Sequence, residues 1–265
     1  MEIPVEIEWY RVNWFGYEFH LDTLFYSWLA FLVIMVFALL ARRSIRTVPG
    51  KLGCLFEHIY AYFLDLASSM IHKQPERYVP FIMTIFLFVL ACNWMGLIPT
   101  FIPPTRDYNT TLALALISFF AFNFYGIRRA MEDNKAAGKG VWGGFVTWIS
   151  HFIQPVPEIW RSLEGPMKYI LTPFLLVLFI ILNIMEELMR ILSLSVRLMG
   201  NILGEHLVLG VLLYLALFIT QIWLRPMNWA TSTFVCLLGA LTGFIQAFVF
   251  AVLSLSYISG AVEGH

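Results

Sequence analysis

Residues 174–224 read FLLVLFIILNIMEELMRILSLSVRLMGNILGEHLVLGVLLYLALFITQIWL, a stretch without proline in which the apolar pattern hardly pauses. At 1.5 Å per residue, about fifty helical residues span on the order of 75 Å. The hydrocarbon core of a bilayer is only about 30 Å thick. Either the stretch is one long helix lying strongly tilted in a membrane, or two ordinary spans join at a short loop around Glu186–Arg190. The middle holds no turn signal, which favours the long helix.

Polar and small residues recur along it at alternating steps of four and three, as they do on one face of a helix: Glu186, Arg190, Ser193, Arg197, Gly200 or Asn201, and Gly204. A second stripe runs along the last apolar segment through Ser232, Cys236, Gly239, Gly243 and Gln246. Gly200/Gly204 and Gly239/Gly243 are small-xxx-small pairs, which allow helix backbones to approach closely in lipid. Packing of the two segments against each other as a hairpin is expected to account for most of these glycines.

Arg197 resists that explanation. It lies deep in LSLSVRLMGN with apolar neighbours on both sides. A charge at mid-membrane costs about 2.5–3.5 kcal/mol on insertion scales, and a guanidinium cannot shed its proton to escape the cost. Glu186 and Glu187 are two to three turns away, and Glu205 is two turns on and about 80° round the helix, so none is placed for direct pairing. An ion pair with another helix of the same chain is the structural alternative. The other deep apolar runs offer no carboxylate for it, which favours a partner on another protein. His206 follows nine residues after Arg197, about 180° round the helix. It is either a packing histidine or part of a separate wet path, where its titration range suits proton passage, and Glu205 is expected to share that path.

The rest of the chain fits a membrane setting. Of 265 residues, 60% are hydrophobic and 13% charged, against about 25% charged in soluble domains. Further runs almost free of charge are Leu24–Ala41, Phe81–Ile98, Leu112–Ile127 and Thr233–Ser259. The expected class is an all-α polytopic membrane protein with about five membrane-embedded helices, a long tilted C-terminal helical hairpin and an amphipathic surface helix. As one integral membrane domain, it is expected to comprise an outer surface segment at 1–21, spans at 22–41, 78–99 and 110–129, a surface helix at 54–74, and a hairpin of 168–224 and 230–259. A formal net charge of zero gives no reason to invoke nucleic acid. Cys54, Cys92 and Cys236 match no metal spacing and read as free thiols. His58 and His72 read as interface residues rather than metal ligands.

Basic residues set the orientation. Arg42, Arg43, Arg46 and Lys51 follow the first span, and Arg128, Arg129, Lys135 and Lys139 the third, whereas the loop IPTFIPPTRDYNTT holds only Arg106 beside Asp107. The N-terminus is therefore expected outside, with Trp9 and Trp14 as surface anchors, and the C-terminus in the cytoplasm or its equivalent. Trp28, Trp94, Trp142, Trp148, Trp223 and Trp229 suit the two interfaces. Asp107 is placed to cap the third span or order the outer loop.

SLSVRLMGNILGEHLVLG (193–210) resembles the signature stretch of the F-type ATP synthase a subunit family. RTVPGKL (46–52), CNWMGLIP (92–99), DYNTTLALAL (107–116) and GFIQAFVFAVLSLSYIS (243–259) match other stretches of that family in the same order, from about His20 onward. The resemblance implies the stationary membrane subunit of a rotary motor, which carries protons (or Na+) through two offset half-channels to and from the carboxylates of a c-ring. By that resemblance Arg197 is the family's essential arginine, which enforces ion release and blocks leakage. Gln246 is the glutamine of the last helix, Asn201 the motif asparagine, and Asn93 a polar residue of the outer half-channel. His206 stands where relatives carry a glutamate or histidine of that channel. We expect Asn93, Glu205 and His206 on the outer path and Glu186, Glu187 and Ser193 on the inner one. The implied partners are the c-ring, the peripheral stalk b subunits, the remaining ATP synthase subunits and membrane lipids, with no cofactor, no metal and no catalytic residue in this chain. A bacterial inner membrane is the expected location, with the thylakoid membrane as the alternative. Three departures stand out: Met199 replaces the commoner phenylalanine, Ile191 replaces a proline, and Gly239 stands where some relatives place an ionisable residue.

Two other classes fit a polytopic chain. A self-contained secondary transporter needs a midplane site between repeated halves, and no repeat is evident. A purely structural assembly subunit has no reason to bury Arg197.

Overall fold

The computed structural model describes residues 11–14, 17–44, 50–98, 101–136, 143, 167–218 and 225–263. Trp9, Arg46, Lys139, Trp142, Trp148, Trp223 and the rest of 219–224 lie outside the described residues, as do the side chains of Trp14, Arg43, His206, Trp229 and Ser232.

Among the described residues the regular structure is helical apart from a short antiparallel hairpin, β1 (Arg11–Trp14) and β2 (Tyr17–His20), with Arg11 opposite His20 and Trp14 opposite Tyr17. This hairpin lies in the segment expected only as an outer surface stretch. It leads directly into α1 (Leu21–Ser44), followed by α2 (Lys51–Met70), α3 (Val79–Met95), α4 (Tyr108–Ala136), α5 (Met167–Phe218) and α6 (Arg225–Glu263). α1, α4 and α6 contain stretches long and apolar enough to cross a membrane, and the 17-residue α3 is a shorter apolar helix.

α2 is the amphipathic helix anticipated near 54–74. Phe56, Ile59, Phe63, Ala67 and Met70 recur at helical spacing and face the core, while Glu57, His58 and Asp65 remain exposed. His58 Nδ1 lies 2.9 Å from the carbonyl of Cys54 in its own helix, and no cluster of three metal-ligating side chains occurs among the described residues. Gln74, in the left-handed region at φ 54°, turns the chain from α2 towards α3. α3 opens with Pro80 in its first turn, where a missing N–H costs nothing. It runs through the middle of the molecule between α1, α2 and α6.

α5 is a single helix of 52 residues, about 78 Å long at 1.5 Å per residue. The loop alternative at Glu186–Arg190 is thus excluded, and a helix of this length fits a bilayer about 30 Å thick only when steeply inclined. Its inward face is Ile191, Leu194, Ser195, Leu198 and Ile202; α6 answers with Ala247, Phe250, Ala251, Ser254, Leu255 and Ile258. Both sets follow the i, i+3, i+4, i+7 rule. Serines pair where α6 meets α4, with Ser254 Oγ donating to Ser118 Oγ at 3.2 Å.

The glycine stripes behave differently from the hairpin-packing expectation. A Cβ at Gly200 or Gly204 would meet nothing within 4 Å, because α5 turns its branched apolar residues inward and leaves this stripe facing out. In lipid, where no water is displaced, those larger side chains hold the helices together by van der Waals packing. Gly239 and Gly243 are indeed packed, but mainly under side chains from α3 and α5 rather than against the glycines opposite.

Charged residues collect at one end. Arg77 of the α2–α3 turn makes a two-pronged contact with Glu132 of α4 at 3.0 Å, Arg129 pairs with Asp133 at 3.2 Å, and Lys73 reaches Asp133 at 3.8 Å. The last turn of α6 is fastened here as well. Glu263 Oε1 accepts from the His72 backbone N–H at 2.5 Å and lies 2.9 Å from His72 Nδ1, and Ser259 Oγ donates to the carbonyl of Met70 at 2.7 Å. At the opposite end, Asp107 Oδ1 accepts from the N–H of Asn109 at 3.0 Å, capping α4 as expected. Its Oδ2 accepts from Thr23 Oγ1 of α1 at 3.2 Å.

Candidate functional site

Arg197 lies well inside α5, one position before the fully buried Leu198. One residue is a 100° step round the helix, and that step turns Arg197 out of the molecule. Its side chain is exposed, and no described carboxylate lies within ion-pair distance of it. The face around it is apolar and open: Val196 is 56% and Leu207 62% exposed, and Gly200 and Gly204 present bare backbone. A cation displayed on an apolar face of a membrane helix is costly unless a counter-charge or polar group receives it. The structural alternative, an intrachain ion pair, finds no partner among the described residues.

On one side of Arg197, eight residues or about 12 Å further along α5, a polar cluster joins three helices. Asn93 of α3 is 2% exposed; its Nδ2 donates to the carbonyl of Gly243 on α6 at 3.1 Å, and its Oδ1 accepts from Thr105 Oγ1 at 3.1 Å. Trp94 Nε1 donates to the carbonyl of Ala240 at 3.1 Å. The Glu205 carboxylate reaches across from α5 to Gly239 of α6, with Leu97 beside it. Asn93 and Glu205 are thereby brought to the same region. Gln246 is buried near the middle of α6, and its Nε2, like Nδ2 of Asn201 on α5, has no partner among the described residues. A buried unpaired donor costs about 1–3 kcal/mol, so each of these amides calls for a polar partner such as a water.

On the other side, towards the charged end, an open cleft of about 440 Å³ lies between α5 and α6, lined by Glu186, Arg190, Ser193, Ser256, Tyr257 and Gly260 among others. Arg190 is its fixed point. Nη2 donates to Glu186 Oε1 at 2.6 Å, Nη1 donates to Glu187 Oε1 at 3.0 Å, and the guanidinium sits 5.2 Å from the centre of the Tyr257 ring. Glu186 and Ser193 both line the cleft. Glu187 is tied to it through Arg190 but turns inward, with Oε2 buried and unpaired among the described residues.

The two clusters therefore flank the middle of α5, one on each side of an outward-facing arginine. A family model described as ATP synthase A chain matches residues 24–259, which include every residue of both clusters except Gly260. The chain belongs to the ATP synthase A chain family. It is 31% identical over 244 residues to ATP synthase subunit a of Moorella thermoacetica, covering 92% of each chain. It is 34% identical over 238 residues to ATP synthase subunit a of Syntrophobacter fumaroxidans, covering 90% of this chain and 83% of that one. A chloroplastic ATP synthase subunit a from Stigeoclonium helveticum is 33% identical over 261 residues, with 94% and 88% covered. As a member of this family the chain is an integral membrane component of an ATP synthase, engaged in ATP synthesis and ion transport.

For a member of the ATP synthase A chain family, several contacts of these clusters carry little signal in the sequence. Arg190 reads there as part of a stripe and as the basic residue before Ile191, while Glu186 and Glu187 at i−4 and i−3 already stand at pairing distance on a helix. Thr105, Ser256 and Tyr257 carried no periodic signal. Glu205 and Gly239 are far apart in sequence and meet only through the helix packing. Two larger grooves, of about 500 and 630 Å³, are lined almost wholly by apolar residues such as Leu90, Phe37 and Phe248, and offer nothing to a travelling ion.

Proposed function

We propose that this chain is the stationary subunit a of a rotary F-type ATP synthase, passing protons (or Na+) between two offset half-channels and the carboxylates of a c-ring. The observation that carries the reading is the exposed Arg197, without an ion-pair partner among the described residues, on an open apolar face with one polar cluster on each side along the same helix.

In lipid a ring carboxylate is neutral, because its ionised form is poorly solvated. Opposite Arg197 the ionised form gains a partner. At about 4 Å and an effective dielectric near 20 the attraction is about 4 kcal/mol, which favours ionisation about a thousandfold. The carboxyl therefore releases its ion as it meets Arg197 and takes one up after it has passed. The fixed cation also repels any ion moving straight from one half-channel to the other. Asn93, Glu205, His206 and Asn201 serve the outer path, and Glu186, Ser193 and Arg190 the inner cleft, with Gln246 beside the crossing. The chain makes and breaks no covalent bond. The peripheral stalk b subunits hold it still while the ring turns, and its N-terminus lies outside.

The test is ATP-driven ion pumping in inverted vesicles carrying Arg197→Ala, with c-ring co-purification as the check on assembly. Loss of pumping in an assembled complex is the expected result. Normal pumping would reduce Arg197 to a structural residue and withdraw the half-channels built around it.

A further inference from the structure

The last turn of α6 holds an acid, Glu263, and no basic residue. Negative charge at a helix C-terminus works against the helix dipole, so this carboxylate needs a partner from elsewhere. It finds one in the turn after α2, where the backbone N–H and Nδ1 of His72 lie 2.5 and 2.9 Å from its Oε1. α2 has the matching need. The last carbonyls of a helix lack partners within it, its own last turn carries no basic residue, and Ser259 Oγ of α6 donates to its Met70 carbonyl at 2.7 Å. Two helix ends thus complete each other through three contacts made by residues four apart on α6.

We propose that Glu263, with Ser259 beside it, is a positioning residue for ion entry from the inner side: its grip on the α2–α3 turn fixes the wall of the inner cleft. This rests on the reading of the chain as the ion-carrying subunit.

The same two turns of α6 form one wall of that cleft. Ser256, Tyr257 and Gly260 line it, and the Tyr257 ring lies under the Arg190 guanidinium at 5.2 Å. Gly260 stands between the two gripping residues, and an added Cβ there would meet nothing within 4 Å. The wall at this point is bare backbone, so its place depends on where the helix is held. Ile258 and Val262 bury the apolar side of these turns, and Ala261 rests on Gly126 of α4, where an added Cβ would meet its oxygen and Cβ at 3.1 and 3.2 Å. Those contacts set how closely α6 approaches its neighbours. Apolar attraction has no preferred direction, whereas a hydrogen bond fixes distance and angle, so the rotation and axial position of the last turns fall to the grip. One exposed ion pair holds little, but here three contacts join the same two segments. The other charges around them, Lys73 on the turn and Arg129 on α4, are engaged with Asp133 at 3.8 and 3.2 Å.

A cleft wall out of place slows ion delivery when ions are scarce and matters little when they are abundant. The half-saturating ion concentration should therefore move while the maximal rate stays, which a loss of folded complex would not produce. Inverted vesicles place the inner side in the bath. The experiment measures ATP-driven pumping by the whole complex against bath pH, and against bath Na+ at fixed pH, with c-ring co-purification for every variant. Glu263→Ala is expected to raise the half-saturating concentration of the pumped ion about fivefold, which for H+ lowers the midpoint by about 0.7 pH unit. Its maximal rate should stay within about twofold of wild type. Glu263→Gln keeps an oxygen for the His72 N–H and should leave the half-saturating concentration within about twofold of wild type. Ser259→Ala, which loses one contact only, should move it in the same direction by less. An unchanged curve for Glu263→Ala, or a lower maximal rate at unchanged half-saturation, would overturn the proposal. Should Glu263→Ala fail to assemble, Ser259→Ala carries the test, and an unchanged curve there overturns it. These outcomes leave the functional reading intact wherever Arg197→Ala abolishes pumping, whereas pumping that survives Arg197→Ala would remove that reading itself.

Discussion

Replacing Asn93 by Leu keeps most of the side-chain volume and removes both of its polar ends. The native amide joins three pieces of the chain: α3, which carries it; α6, through the Gly243 carbonyl at 3.1 Å; and the turn before α4, through Thr105 Oγ1 at 3.1 Å. Thr105 is fully buried, so losing its acceptor leaves a hydroxyl with no access to bulk water. Stranding such a group costs about 1–3 kcal/mol, and the lost bond to Gly243 adds about 1 kcal/mol net. Asn93→Leu should therefore destabilise the chain by about 2–4 kcal/mol. Thr105→Val alone strands only Asn93 Oδ1 and should cost about 1–3 kcal/mol. The double variant has no unpaired partner left, so its cost should fall short of the sum by at least about 1 kcal/mol. Titration of detergent-solubilised chain with SDS, followed by tryptophan emission, gives the three values. Additive costs, or a neutral Asn93→Leu, would mean that the Thr105 hydroxyl has another acceptor and that the three-way junction does not exist.

Arg190 offers a second prediction. Arg190→Ala frees Glu186 to solvent but leaves the inward-turned Glu187 alone, so unfolding should become easier by about 1–3 kcal/mol, while Arg190→Lys should recover only part because an ammonium cannot fork to two carboxylates and stack over Tyr257 at once. A lysine variant as stable as wild type would contradict this account. Cysteine labelling checks orientation. A membrane-impermeant maleimide should modify the exposed Cys54 in inverted vesicles but not in right-side-out ones, and should spare the buried Cys92 in both; modification only from the opposite side would invert the proposed topology.

The long helix was legible because a helix of this kind is written in what it lacks: no proline follows Pro173, and nothing around Glu186–Arg190 turns the chain. Arg197 was legible for an energetic reason, since a permanent charge among apolar residues demands an explanation in any fold. The face that each helix turns inward was harder to read. In a soluble helix polarity marks the outside, but in lipid both faces of α5 are largely apolar, and Gly200/Gly204 looked as apt for internal packing as Gly239/Gly243. The structure separates them by what stands opposite, which no local pattern encodes. The β1–β2 hairpin pairs two segments of only four residues each, too short for alternation to mark them in the sequence. It was obscured by the aromatic and acidic character of the segment. The Asn93–Thr105 bond spans the turn between α3 and α4, where no periodicity operates.

The fastening of α6 to the α2–α3 turn bears on how the chain is made. His72 and Glu263 are separated by 191 positions. At roughly 5–20 residues per second, the ribosome needs about 10–40 s between them. Throughout that interval the carbonyl of Met70 and the N–H of His72 wait for partners not yet synthesised, while α2 already packs against its nearer neighbours α1 and α3. A nascent chain stalled before α6 thus presents an unfinished, charged turn at the membrane surface, within reach of a protease, and synthesis of the last helix withdraws it.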